Sequence, residues 1–250
     1  MNFCPILKKE LRSYFFSPTL YIILTIFLVL SGYFFFTDLS FYNWINIKGT
    51  ANPVEGLWQY YFNDLRFVLM LLMPFITMRL LAEEKRLGTY ELITSYPVSN
   101  GDIVAGKYLA SLMVFVLMMA MTFVNILFWG ALWGFTGLEP LIAGYFGLFL
   151  LGCSLISCGL FISSLTSNQL VAGMATLGIF IFFWFLTWNE MMVNEEAIRV
   201  LVRFSLFDRI EYFFKGVIDI KDVAFFVLFT VFFLYMTLCS LGSMSWRGQK

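Results

Sequence analysis

The first residues that could do chemistry are Gly101-Asp102-Ile103-Val104-Ala105-Gly106-Lys107, which fit GxxxxGK. A phosphate-cradling loop of that pattern continues with Ser or Thr, whose hydroxyl ligates magnesium, and it joins a strand to a helix. Here Tyr108 follows, Tyr96-Pro97-Val98-Ser99 precedes, and a long apolar run comes after. The segment is therefore not read as a nucleotide site. Ser99 and Asp102 read instead as S-x-x-D, a helix start capped by the serine hydroxyl. The chain has no histidine. Ser-His-Asp and Cys-His nucleophiles, His-ligated zinc and HExxH chemistry fall together. Cys4, Cys153, Cys158 and Cys239 form no CxxC, and three lie in apolar runs, where a thiol acts as a small apolar side chain. No catalytic, cofactor-binding or metal-ligating set is expected.

A binding device is better represented. Glu83, Glu84, Lys85 and Arg86 stand together and give way to Gly88 and Thr89. Thr89 can cap a short helix over about 90–95, carrying Glu91 and Leu92, which Pro97 ends. A charged helix end, a glycine hinge and a short helix suit docking of a soluble partner through charge-assisted contacts. An ordinary solvated loop has the same composition.

The elements that must position this segment follow from composition. Apolar residues make up 60% of the 250 and charged residues 13%. Soluble chains carry roughly 25% charge, so the class is integral membrane protein. Net charge is +0, with 16 basic and 16 acidic residues, which argues against a nucleic-acid partner. No charge interrupts the chain between Arg12 and Asp38, Lys107 and Glu139, Glu139 and Glu190, or Asp222 and Arg247. A helix needs about 20 residues to cross the hydrocarbon. The expected layout is all-α: one transmembrane domain over 1–250 with six spans at about 19–37, 60–81, 104–134, 140–164, 169–188 and 222–245. Continuous rather than alternating apolar runs favour helices over a barrel. The polar stretch Ser163–Gln169 is the turn between spans 4 and 5.

Residues 1–17 read as an amphipathic interfacial helix, with Lys8, Lys9, Glu10 and Arg12 beside Ile6, Leu7, Leu11 and Tyr14. Pro18 turns it into the membrane. The positive-inside rule puts both termini in the cytoplasm. Five basic residues between spans 5 and 6 strain that topology; an interfacial pattern of Ile198, Leu201, Val202, Phe204 and Phe207 with Arg199, Arg203 and Asp208 relieves it. No ionisable residue sits near the middle of a span, which weighs against ion-coupled transport. Pro74 is a candidate kink. Ala143-x3-Gly147 and Gly159-x3-Ser163 permit close helix packing, at a subunit contact among other places. Trp58, Trp129, Trp133, Trp188 and Trp246 fall near span ends, as interfacial belts do.

The loop between spans 2 and 3 resembles that of type-2 ABC transporter permeases, which read roughly E-x-x-x-G-T-x-E-x-L…P-x-S…GK. Glu84, Gly88, Thr89, Glu91, Leu92, Pro97, Ser99, Gly106 and Lys107 match, and Tyr96 departs. The similarity extends over nearly the whole chain, through Lys9-Glu10-Leu11 and the run Phe213–Asp219. Within the family it is most similar to the gliding-motility and nitrous-oxide-reductase-maturation type. The resemblance implies a non-catalytic permease in the bacterial inner membrane that drives export with ATP and magnesium bound by a partner. It implies two ABC ATPase subunits, a second permease in a homo- or heterodimer, and an accessory protein at the outer face. It makes the loop from Glu83 to Leu92 the coupling helix, gives the N-terminal helix a second ATPase contact, and puts re-entrant helices between spans 5 and 6. A motility or maturation component that docks an ATPase without transport, and an ATP-independent channel, remain as alternatives. An apolar, aromatic dimer cavity would suit amphipathic cargo.

Overall fold

A computed structural model of the chain describes residues 3–47, 55–89, 99–133, 138–188 and 205–247. Its elements are helices α1 (Phe3–Phe15), α2 (Pro18–Ile47), α3 (Glu55–Thr77), α4 (Ala82–Leu87), α5 (Asn100–Met121), α6 (Phe123–Trp133), α7 (Leu138–Leu165), α8 (Gln169–Trp188), α9 (Leu206–Arg209), α10 (Glu211–Phe214) and α11 (Ile220–Arg247). No strand occurs among the described residues. Five stretches are long and apolar enough to cross a membrane: Pro18–Phe41, Gly56–Arg86, Asn100–Ala131, Glu139–Leu165 and Ile220–Ser243. The chain is an all-α polytopic membrane protein. The apolar part of α8, Gln169–Phe185, is shorter than these five.

Local chemistry sets the helix boundaries. Pro18 opens α2, where its missing N–H is not needed and its fixed φ suits a first turn. Ser99 caps α5 as its spacing predicts, its Oγ accepting from the Asp102 N–H at 3.1 Å. Thr122 separates α5 from α6; its hydroxyl donates to the Met119 carbonyl at 2.7 Å and tightens the turn. In the turn between α7 and α8, Asn168 Oδ1 accepts from the Leu170 N–H at 3.0 Å.

The centre of the bundle is α7, which packs against α3, α5, α8, α10 and α11. Without water to expel, helices in lipid gain by close approach, and small residues allow it. At Gly144, Gly152 and Gly159 an added Cβ would collide with Phe62, Phe115 and Thr77. At Gly147 it would lie 2.7 Å from Phe213. The small positions of α7 are thus used inside this chain, a correction to their reading as a subunit contact. The aromatic belt is corrected as well. Trp58 and Trp129 are buried, with ring centroids 6.1 Å apart, and Trp58 stacks on Phe62. They fill the core because α2, α3 and α6 converge there. The side chains of Trp133, Trp188 and Trp246 lie outside the described set.

The end of α3 away from α1 is covered by α9 and α10. Their Leu206, Phe207, Phe213 and Phe214 are buried, as is Ile210 between the two helices. Phe214 stacks on Phe62 at 5.5 Å. Gly216 turns the chain with φ 83°, beside Pro140. Ile198, Arg199, Leu201, Val202, Arg203 and Phe204 of the expected interfacial pattern lie outside the described residues.

Candidate functional site

The site is built where α1, α4 and α5 meet. The apolar face of α1 turns toward the bundle, while Lys8, Lys9 and Arg12 are exposed. Gly106 sets how close α1 can come: an added Cβ there would stand 2.8 Å from the Ile6 side chain. That approach carries Glu10 onto Lys107. Tyr14 fixes the far turn of α1, its hydroxyl donating to the Ile76 carbonyl of α3 at 3.0 Å. Burial first, and the Glu10 carboxylate second, push the Tyr14 phenol above its ordinary range, so it remains a donor.

The placement of α4 follows from a hydroxyl on another span. Leu81, at its N-cap position, offers no side-chain acceptor. Ser163 Oγ of α7 accepts from the Leu81 and Ala82 N–H groups at 3.1 and 3.0 Å and donates to the Met78 carbonyl at 3.1 Å. One donor and two acceptors use the full capacity of a hydroxyl. Lys85 donates to the Ser164 carbonyl, tying α4 to the end of α7 a second time. Gly88, at φ 69°, closes α4 in the left-handed conformation that glycine adopts without strain.

Between these elements lies a cluster of charges. Lys107 is 1% exposed, and its Nζ is 2.9 Å from Glu10 Oε1 and 2.9 Å from Glu84 Oε2. Glu84 Oε1 is 3.3 Å from Lys9 Nζ. The Glu10 contact is also a hydrogen bond. The Lys107–Glu84 contact is an ion pair by distance alone, and Glu84 Oε2 has no hydrogen-bond partner. Two cations and two carboxylates alternate, so no charge is buried alone. Removing Lys107 would leave Glu10 without a partner and Glu84 with only the exposed Lys9, which in a low dielectric costs several kcal/mol. A cavity of about 250 Å³ opens beside the cluster, walled by Ser13, Tyr14, Glu83 and Thr89 along with the charged groups.

The residues singled out from the sequence separate into inward and outward sets. Glu84, Glu10 and Lys9 join the cluster, and Glu83 borders the cavity. Thr89 donates to the Glu84 carbonyl at 3.4 Å. Lys8, Arg12, Arg86 and Gly88 are exposed, as is the apolar Leu87. Glu91 and Leu92, with the expected helix at 90–95, lie outside the described residues. Lys107 is not legible as a site residue, because a lysine before an apolar run reads as a span boundary. The pairing of its GK position with the charged loop is the signal that points to it. No group of His, Cys, Asp or Glu suited to a metal ion occurs among the described residues.

Apolar spans around a glycine-studded centre, with a charged frame and the exposed residues Arg86, Leu87 and Gly88 at one end, define a multi-pass membrane protein. The profile of the family described as ABC-2 family transporter protein matches residues 4–198. The chain belongs to that family, and it is the membrane component of an ABC transporter. No curated protein matches the chain.

Proposed function

We propose that the chain is the permease of an ATP-driven exporter, moving substrate across the bacterial inner membrane at the expense of ATP, which two separate ABC ATPase subunits bind with magnesium and hydrolyse. It works as one half of a permease dimer, with an accessory protein at the outer face. The end bearing α1 is cytoplasmic, α8 completes six spans, and both termini lie inside. The ATPase seats against the loop from Glu83 to Leu92 and against α1.

The observation that carries this reading is the buried Lys107 between Glu10 and Glu84. It locks three elements from separate parts of the sequence into one frame. A push on the exposed tip at Arg86-Leu87-Gly88 therefore reaches α3 through α4, α5 through Lys107, and α1 through Glu10. Rigid ties of this kind turn a local displacement into a choice between two helix packings. Within the frame, Glu84 is a positioning residue. Docking contacts come from Lys8, Arg12, Lys85, Arg86, Glu91 and Leu92, and Gly88 and Thr89 set the hinge.

Affinity purification from native membranes tests the partner. An ATP-binding subunit is expected with the wild-type chain and a reduced yield of it with Glu91→Lys. Recovery of a well-folded permease with no ATP-binding protein would favour an ATP-independent channel.

A further inference from the structure

A second cavity, of about 300 Å³, lies between α2, the end of α3 and the start of α8. Its volume is at the lower end of the range for ligand pockets. Its body is apolar: Ile22 and Ile26 of α2 face Leu72 and Phe75 of α3. Ile22, Ile26 and Phe75 are exposed, so the groove opens sideways on the surface that meets the bilayer. Its head is polar, formed by Thr19, Arg79, Glu83 and Gln169. Arg79 lies over Tyr14 of α1 and Glu83 lines the first cavity with it, so this head stands beside α1, the helix read as interfacial, and at headgroup level.

Charge settles which occupant fits. Arg79 gives one hydrogen bond to Ser17 Oγ at 2.9 Å and lies over the Tyr14 ring at 5.2 Å. It is in no ion pair among the described residues, and neither is Glu83. A guanidinium has five N–H donors in a fork that matches phosphate oxygens. A carboxylate beside it accepts from an ammonium. We propose that this groove binds one phospholipid whose head carries both a phosphate and a primary ammonium. The phosphate pairs with Arg79, the ammonium with Glu83, and one acyl chain lies along Ile22, Ile26 and Phe75. The lipid thus fills the seam between α2, α3 and α8 on the membrane face that bears α1. This rests on the membrane-embedded fold and not on the transport reading.

The test uses the full chain in nanodiscs containing phosphatidylethanolamine with a photoactivatable acyl chain, and in parallel discs with the same chain on phosphatidylglycerol. Labelling is expected within residues 19–26 and 72–79, favouring the ethanolamine lipid. Arg79→Gln should lower labelling by both lipids about fivefold, as loss of a half-exposed charge-assisted contact does, while Arg79→Lys retains most of it. Glu83→Gln should erase the preference and leave glycerol-lipid labelling intact. Ile26→Trp, on the lipid-facing surface, should block the groove without disturbing the core, and it carries the test if Arg79→Gln does not fold. Labelling spread over other spans, labelling indifferent to Ile26→Trp, or crosslinks from the groove to a second copy of the chain would each overturn the proposal.

Discussion

At the α1 end, three helices meet on buried charges, whereas at the other end two short helices meet the same spans on aromatic rings. Lys107, Glu10, Glu84 and Lys9 hold α1, α4 and α5 together. Phe213 and Phe214 of α10 hold to α7 and α3 by filling the space beside Gly147 and Phe62. The two ion pairs near the aromatic cap, Arg209–Asp222 and Lys215–Glu211, are more exposed than Lys107. Dispersion contacts are individually small and spread over many atoms, and Arg66 of α3 adds a hydrogen bond to the Phe207 carbonyl, so the cap does not hang on one group. Ion pairs in a buried site fix distance and angle, and they fail abruptly when one partner is lost. In the proposed exporter the charged end passes on a push and the aromatic end closes off the bundle.

The largest effect should come from Lys107→Met. It leaves Glu10 without its cation and Glu84 with only the exposed Lys9, and should cost about 3–5 kcal/mol, read as a fall in thermal unfolding temperature in detergent. A loss below about 1 kcal/mol would mean that water reaches the cluster and that the two ends differ less than described. Phe214→Ala comes next, at about 3 kcal/mol, the usual penalty for a large buried side chain cut to alanine. It should leave the response of the ATPase partner to the permease unchanged, which separates packing from coupling. Ser163→Ala removes the hydroxyl that caps α4 from another span and should cost about 1–2 kcal/mol. Faster hydrogen exchange at Leu81 and Ala82, with the rest of the fold protected, would show the effect to be local.

The smallest effect is Lys215→Ala at the surface, no more than about 0.5 kcal/mol for a half-exposed i,i+4 pair. Its hydrogen bond to Glu211 raises the Lys215 ammonium above the ordinary lysine range. The increment is therefore full below the ordinary lysine range and is lost as pH rises through the raised value. Equal stability of wild type and Lys215→Ala at high pH, with the wild type slightly ahead at neutral pH, is the expected pattern.

Much of this architecture is legible in the sequence because it is local. Charge-free runs mark the long helices, Pro18 opens α2, and Ser99 caps α5. The cluster at Glu83–Arg86 falls on α4, and Gly88 ends it. What the sequence hid depends on tertiary neighbours. Hydropathy treats Lys107 as the edge of a span; only the arrival of Glu10 and Glu84 makes it a buried tie. Trp58 and Trp129 look interfacial by position, and only the convergence of α2, α3 and α6 puts them in the core. The cap on α4 comes from Ser163, far along the chain, and no spacing rule connects the two. The glycines of α7 announce close packing but not what will pack.

In the proposed mechanism the Lys107 frame carries the push of the ATPase into the spans. The most direct test is ATP hydrolysis by the co-purified complex, comparing wild type with Lys107→Gln at a temperature where both remain folded. The ATPase should stay bound to the variant, because its docking residues are untouched, while permease-dependent stimulation of hydrolysis falls about tenfold or more, the effect of losing a buried charge pair. A folded Lys107→Gln complex that hydrolyses ATP with undiminished stimulation would contradict the account.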